Sequence, residues 1–117
     1  MAYGNWDDIL KVYREVYLGS RFDEHAKSML DLVPRIRDLF PDVIPMTSLS
    51  TLCLNLPSFS KHVCIWGQAI GSYEVYIYDP GNDPRKDGTV SECSIATSDE
   101  IIAAIEHCLS VIQEKAS

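Results

Sequence analysis

The chain has 117 residues, 46% of them hydrophobic and 23% charged, which suits one globular domain spanning residues 1–117 around a single core. Its formal net charge of −7 opposes binding to nucleic-acid phosphates and to anionic lipid head groups, so we expect neither a nucleic-acid partner nor a membrane. Residues 61–117 carry four basic and nine acidic side chains, a net charge of −5, and hold most of the excess.

The compartment is predicted from the start of the chain and from its longest uncharged run. The first residues include Asp7 and Asp8 and lack the basic segment and apolar block of a secretory signal. The uncharged run, 43–60, is interrupted by Pro45 and Pro57, so it cannot form a membrane helix. We therefore expect a cytoplasmic protein.

The cysteines are too widely spaced for the Cys-x-x-Cys pairs of structural zinc or redox motifs. They are Cys53, Cys64, Cys93 and Cys108. In a cytoplasmic protein we expect all of them to be buried free thiols rather than disulfide partners.

The first predicted helix covers residues 6–18. Asn5 is a typical N-cap residue, and Asp7 and Asp8 in the next turn favour the positive end of the helix dipole. Apolar residues then recur at helical spacing up to Gly19, which suits the left-handed position after a helix.

A second helical pattern runs over residues 22–40 and contains Pro34. A proline inside a helix removes one backbone hydrogen bond and clashes with the preceding turn. Either one kinked helix spans the segment, or a new helix begins at Asp31 with the proline in its first turn. The apolar stripe keeps its phase across Pro34, which favours the kink.

Four strands are predicted next, because apolar residues then follow a period of two. They cover 51–56, 62–66, 73–78 and 89–96. The two central strands form a β-hairpin within Lys61–Gly88, with Gly67 and Gly71 supplying the backbone freedom of the bend. We expect the rest of the chain to pack around this hairpin.

The alternation assigns the hairpin side chains to two faces. Val63, Ile65, Tyr73, Val75 and Ile77 are predicted to face the core. Trp66, Tyr76 and Tyr78 are predicted to face outward, where they would form an amphipathic patch unless a helix covers them.

The last helix is predicted from a capping box at Thr97–Glu100 and an apolar stripe that continues to about Glu114. Short connections between the strands favour antiparallel pairing. The predicted fold class is therefore α+β: a two-layer sandwich of order α-α-β-β-β-β-α, with an antiparallel four-stranded meander and the helices packed on one face.

Two candidate sites are weighed against plainer interpretations. His62 and Cys64 share a strand face, and Cys53 could lie opposite them, a set that could supply a nucleophile or begin a zinc site. The plainer interpretation, a small buried thiol beside a histidine at a strand end, is preferred. We therefore assign no catalytic residue, no metal site and no cofactor.

The acidic loop that follows the hairpin clusters oxygen ligands of the kind that calcium binds. It contains Asp79, Asn82, Asp83 and Asp87. Gly81, Pro84 and Val90 stand where an EF-hand loop needs a ligand, a glycine and a glutamate, so a solvated turn is preferred. His25 is likewise assigned to a solvated helix face, and His107 to the last turns of the final helix.

The preferred function is that of a small acidic cytoplasmic binding protein without catalytic activity, similar in role to immunity or inhibitor accessory proteins. Its partner would be another protein or a second copy of the chain, forming a homodimer. The predicted binding residues are Trp66, Tyr76, Tyr78, Asp79, Asp83 and His62.

Two alternatives stay open. One is a small-molecule site in a pocket between the helices and the sheet, where Tyr13, Tyr17, His62 and Trp66 are the first residues to inspect. The other is an enzyme that uses His62 with Cys64.

Overall fold

The structure, a computed structural model, describes residues 4–69, 71–81, 85 and 87–115. Within these ranges it contains three α-helices and a five-stranded antiparallel sheet with helices packed against it, an α+β fold. The elements are α1 (Trp6–Val12), a π-helical turn (Tyr13–Tyr17), α2 (Asp23–Leu39), β1 (Ile44–Ser48), β2 (Thr51–Asn55), β3 (His62–Ala69), β4 (Ser72–Asp79), β5 (Thr89–Thr97) and α3 (Ile101–Lys115).

The first helix begins and ends where its sequence predicts. The Asn5 side chain accepts hydrogen bonds from the backbone N–H groups of Asp7 and Asp8, at 2.9 and 3.4 Å. Gly19 adopts a left-handed conformation with φ of +82°, which a residue without a Cβ tolerates best. The last turn before it, Tyr13–Tyr17, is π-helical rather than α-helical.

Helix α2 is one continuous helix with Pro34 inside it, so the alternative of a new helix beginning near Asp31 is wrong. Its buried side chains lie on one stripe that continues on both sides of the proline. Packing of this stripe offsets the cost of the backbone hydrogen bond that proline removes.

The strand order is β1-β2-β3-β4-β5, with every neighbouring pair antiparallel. The prediction of four strands is wrong, because β1 (Ile44–Ser48) pairs with β2 and adds a fifth. Strand β1 lies at the sheet edge, where Pro45, a residue without an N–H, is tolerated. On this edge the Pro45 carbonyl accepts a hydrogen bond of 2.7 Å from the Gly4 N–H.

The core is formed by the predicted inward face of the sheet and by apolar side chains of the helices. The sheet contributes Leu52, Leu54, Val63, Ile65, Tyr73, Val75 and Ile77, all buried. The helices contribute chiefly Ile9, Tyr13, Met29, Leu32, Val33, Ile36, Ile101, Ile105 and Ile112. The prediction of which hairpin side chains face the core is confirmed.

Gly67 has a different role from the one predicted. Strand β3 continues through it to Ala69, and the reversal lies further on, at Gly71, whose φ is +83°. A Cβ placed on Gly67 would lie 2.8 Å from the Cβ of Ser28 and 3.2 Å from the carbonyl oxygen of His25. The missing side chain therefore lets helix α2 approach strand β3 closely.

Strand β5 forms the other edge of the sheet and is irregular. Val75 pairs with Ser94 and Ile77 with Ser91, so Tyr76 faces a β-bulge of two residues. Within the bulge Glu92 has a positive φ of 54°, and its carboxylate lies 3.1 Å from Nε2 of His107 on α3. Apart from Ala96, the side chains of β5 are exposed.

The capping box before α3 is confirmed in one of its two hydrogen bonds. The Glu100 carboxylate accepts from the Thr97 N–H at 3.1 Å, as predicted. The Thr97 hydroxyl donates to the same carboxylate at 2.9 Å, whereas the Glu100 N–H donates to the Thr97 carbonyl. These bonds from Thr97 lower the pKa of the exposed Glu100 carboxyl group.

A search of the described residues for a helix of sufficient length and hydrophobicity to cross a bilayer finds none.

We expect Gly67→Ala to lower the free energy of unfolding by about 1–3 kcal/mol, because the added methyl group overlaps the side chain of Ser28. Ser28→Gly removes the obstructing Cβ at a cost of about 0.5 kcal/mol in helix propensity. Urea denaturation of both single variants and the double variant should show the double variant to be more stable than additivity requires. Additive effects would contradict the close contact.

Candidate functional site

Four side chains form a row across strands β1 to β4 on the face opposite the core, called the outer face below. Met46 pairs with Cys53, Cys53 with Cys64, and Cys64 with Tyr76. Because paired residues of antiparallel strands project to the same side, the register alone brings these four together. The two cysteines occupy the middle of the row.

A second row runs beside the first, two residues away from it on β2, β3 and β4. It contains Asn55, His62, Tyr78 and Val90, paired in that order across β2 to β5. The rings of His62 and Tyr78 lie 5.2 Å apart with a tilt of 43°. His62 is therefore held between Tyr78 and the first row.

The two rows border a groove of about 330 Å³ on the outer face. It is lined by Met46, Ser48, Thr51, Cys53, His62, Cys64, Tyr76 and Tyr78. Three of the predicted binding residues, His62, Tyr76 and Tyr78, thus lie in one groove, together with the two thiols that the sequence placed near His62.

The two thiols are close but not bonded. The Sγ atoms of Cys53 and Cys64 lie 3.6 Å apart, and the side chains are only 3% and 4% exposed. The described cysteines are all free thiols, as predicted, but the expectation that all are buried is wrong for Cys93, which is exposed on β5. The alternation of β5 is interrupted by its bulge, so the position of Cys93 could not be read from a period of two.

A hydrogen bond joins the two buried thiols. A hydrogen bond from Cys64 lowers the pKa of Cys53, and His62 contributes in the same direction. The same hydrogen bond, followed by burial, raises the pKa of Cys64. The hydrogen bond therefore makes Cys53 the more acidic thiol of the pair, while burial and the nearby Cys64 raise the pKa of Tyr76 to about 12.

Three potential metal ligands meet at the floor of the groove. The ligand atoms of Cys53, His62 and Cys64 all lie within 4.8 Å of one another. Thiolate sulfur and imidazole nitrogen are the ligands that zinc prefers in proteins.

Trp66 does not join this groove. Its ring stacks on the His25 ring of helix α2, with centroids 3.8 Å apart and an angle of 14° between the planes, and the Phe22 ring meets it edge-on at 6.0 Å. Trp66 borders a separate hollow of about 310 Å³ with Tyr17 and Leu49. Of the three predicted outward aromatic residues, Tyr76 and Tyr78 share the groove and Trp66 packs against the helices.

His25 is buried at 3% exposure, so its assignment to a solvated helix face is wrong. Its Nε2 lies 2.7 Å from the Ser50 carbonyl oxygen and its Nδ1 accepts from the Gly67 N–H at 3.0 Å. The Ser50 carbonyl can only accept, so Nε2 carries a proton, while Nδ1 also lies 3.0 Å from the Gly67 carbonyl oxygen. Burial is the main cause of its lowered pKa, and the hydrogen bonds to Ser50 and Gly67 oppose it.

The residues around His25 do not indicate that it is buried, because most of its near neighbours are charged. Asp23 and Glu24 precede it, and Lys27 follows and pairs with Asp23 at 2.9 Å. These three side chains lie on the solvent side of α2, whereas His25 points inward toward Gly67. The polar ring can be buried there only because helix α2 lies close to Gly67, whose backbone forms a hydrogen bond with it.

The predicted acidic residues are only partly described. Asp79 accepts a hydrogen bond of 2.9 Å from the Gly81 N–H, and its other carboxylate oxygen lies 4.0 Å from the Lys61 ammonium group. The Asp79 carboxylate therefore stabilises the turn after β4 through this hydrogen bond. Asp83 and Asn82 lie outside the described residues, so the calcium interpretation of this loop stays untested.

Comparison of the chain with protein-family models, with curated proteins and with solved structures gives no match. The function is therefore inferred from the chemistry of the groove and of the face around it.

We expect the free energy of unfolding to decrease as the pH is lowered, because His25 then becomes protonated. Because burial lowers its pKa in the folded state below the ordinary value of 6.5, the unfolded chain binds the proton more tightly. The stabilisation is complete above the ordinary pKa and is lost as the pH falls below it. The free energy of unfolding, measured in urea between about pH 7 and pH 5, should fall less steeply in His25→Gln than in the wild type.

Equal slopes in the wild type and in His25→Gln would contradict the lowered pKa of the buried ring.

We expect Cys64→Ala to raise the pKa of Cys53 toward its ordinary value of 9.0, because the variant removes the hydrogen-bond donor that stabilises the thiolate. The measurement is the pH dependence of alkylation at Cys53, resolved by mass spectrometry in the presence of a chelator. Cys93→Ala, at an exposed thiol remote from the pair in sequence, is the control. An unchanged pKa in Cys64→Ala would show that the pair is not coupled.

Proposed function

We propose that this protein is a small acidic binding module without catalytic activity of its own, and that its outer sheet face docks on a basic surface of another protein. The observation that carries the proposal is the exposure of apolar side chains on that face. Val90, 55% exposed, pairs with Tyr78, and Ile95, 59% exposed, pairs with Glu74. Large aliphatic and aromatic side chains at a surface are typical of the centre of an interface.

The proposal takes the fold to be a two-layer sandwich with its helices on one face. In support of this, the inward side chains of β2 to β4 are buried with those of the helices, while the alternate side chains His62, Tyr76 and Tyr78 are only partly buried. Trp66, at the end of the sheet nearest α2, is the outward aromatic residue that contacts a helix. The rest of the outer face is then available to a partner.

Charge favours a basic partner over a second copy of the chain. Glu74 lies on the outer face itself, and residues 61–117 as a whole carry a net charge of −5. Two copies, each at −7, would repel one another in a face-to-face contact. Complementary charge instead accelerates association with a basic surface and selects against acidic ones.

The alternative functions have less support from the geometry. Tyr13 is fully buried with its hydroxyl bonded to the Ser50 carbonyl. Tyr17 and Trp66 line one hollow and His62 another, so the four residues named for an internal ligand pocket do not share one pocket. The raised pKa and burial of Cys64 are unfavourable for a nucleophile.

The test compares two variants that remove equally exposed aliphatic side chains. Val90→Ser changes the outer face, and Leu39→Ser, at a residue 56% exposed near the end of α2, is the matched control. Proteins bound to the immobilised wild-type chain are identified by mass spectrometry, and the affinity of each purified candidate is measured by titration. For the true partner we expect Val90→Ser to weaken binding about tenfold and Leu39→Ser to leave it unchanged.

Binding should also weaken as salt is raised and when Glu74→Gln removes the charge on the outer face. If no bound protein distinguishes Val90→Ser from Leu39→Ser, the docking face is wrong. If the wild-type chain instead forms a dimer that Val90→Ser dissociates, the partner is a second copy and the assignment to a basic protein is wrong.

A further inference from the structure

We propose that Cys53, Cys64 and His62 form a binding site for a zinc ion, with one coordination position open to the groove. The proposal concerns the floor of the groove and does not rest on the docking function of the surrounding face.

The first argument is the separation of the two sulfur atoms. In a tetrahedral site with Zn–S bonds of about 2.3 Å, two sulfur ligands lie about 3.8 Å apart. The Sγ atoms of Cys53 and Cys64 are 3.6 Å apart, so the pair already has the spacing that zinc requires. A shift of only a few tenths of an ångström completes it.

The second argument is the position of the third ligand. All three ligand atoms lie within 4.8 Å of one another, whereas a sulfur and a nitrogen bound to one tetrahedral zinc lie about 3.6 Å apart. The imidazole therefore has to approach the thiols by no more than about an ångström, which a small side-chain rotation supplies. His62 is half-buried and lines the groove.

The third argument is the rigidity of the backbone that carries the ligands. Cys53 and Cys64 are paired on adjacent strands in the interior of the sheet, and His62 lies two residues before Cys64 on the same strand. The ligand backbone is thus held by the sheet hydrogen bonds before any metal arrives. A site built on strands is positioned more precisely than one built on loops.

The groove determines what kind of zinc site this is. Among the described residues, the cluster supplies three ligand atoms, and the groove beside it is lined further by Ser48, Thr51 and Tyr78. Three protein ligands with an accessible fourth position bind a water molecule or an incoming donor group, unlike the closed four-ligand sites of structural zinc. The ion would therefore be available to a ligand that enters the groove.

The test uses the full chain, reduced, freed of metal with a chelator and then titrated with zinc chloride. We expect one zinc ion per chain after gel filtration, measured by elemental analysis, with the affinity obtained by competition with a chromophoric chelator. Cys53→Ser and Cys64→Ser should each weaken binding at least about 100-fold, and His62→Gln at least about tenfold. Cys93→Ser, which changes the exposed cysteine of β5, should bind as the wild type does.

A second measurement uses only the wild-type chain, so it remains informative even if the variants do not fold. Zinc should protect Cys53 and Cys64 from alkylation in the native wild-type chain and leave the labelling rate of Cys93 unchanged. Cobalt in place of zinc should give the absorption of a tetrahedral site with sulfur-to-cobalt charge transfer.

The proposal is overturned if the reduced wild-type chain retains no zinc. It is equally overturned if Cys53→Ser and Cys64→Ser fold and bind zinc with unchanged affinity, or if zinc protects no thiol from alkylation.

Discussion

The contact between helix α2 and strand β3 at Gly67 determines how the rest of the molecule is arranged. The missing Cβ lets Ser28 and the backbone of His25 lie against the strand, and the His25 ring then bridges Gly67 and the Ser50 carbonyl. That same carbonyl accepts from the Tyr13 hydroxyl at 2.8 Å. The π-helical turn, α2, the connection between β1 and β2, and β3 therefore meet at one buried set of hydrogen bonds, in which both lone pairs of one oxygen are used.

This contact also determines what is left on the outer face. Because Trp66 stacks on His25, its ring lies toward the helices at the end of the sheet. It therefore does not cover the groove bordered by the two rows that contain Cys64 and His62. A hydrophobic ring over the groove would have closed it. The chemistry of the thiols and the imidazole thus depends on the packing of Trp66, which lies two residues after Cys64 on β3.

Much of the fold could be predicted, because local patterns determine it. The cap at Asn5, the left-handed Gly19 and the two faces of the hairpin follow from propensity and periodicity and are seen in the structure. Strand β1 could not be predicted, since Pro45 is tolerated only at an edge, and edge position is a tertiary property. The burial of His25 and the meeting of Met46, Cys53, Cys64 and Tyr76 depend on helix placement and strand register, which one sequence does not reveal.

The two edges of the sheet have a consequence for the behaviour of the protein in solution. At β1, Pro45 offers no N–H and its carbonyl is taken by Gly4, while at β5 the bulge around Glu92 interrupts the run of free main-chain groups. Neither edge is a continuous template for another strand, so growth of the sheet into fibrils or swapped ribbons is obstructed at both ends. Recognition of other molecules then falls to side chains, which can distinguish partners, rather than to the main chain, which cannot.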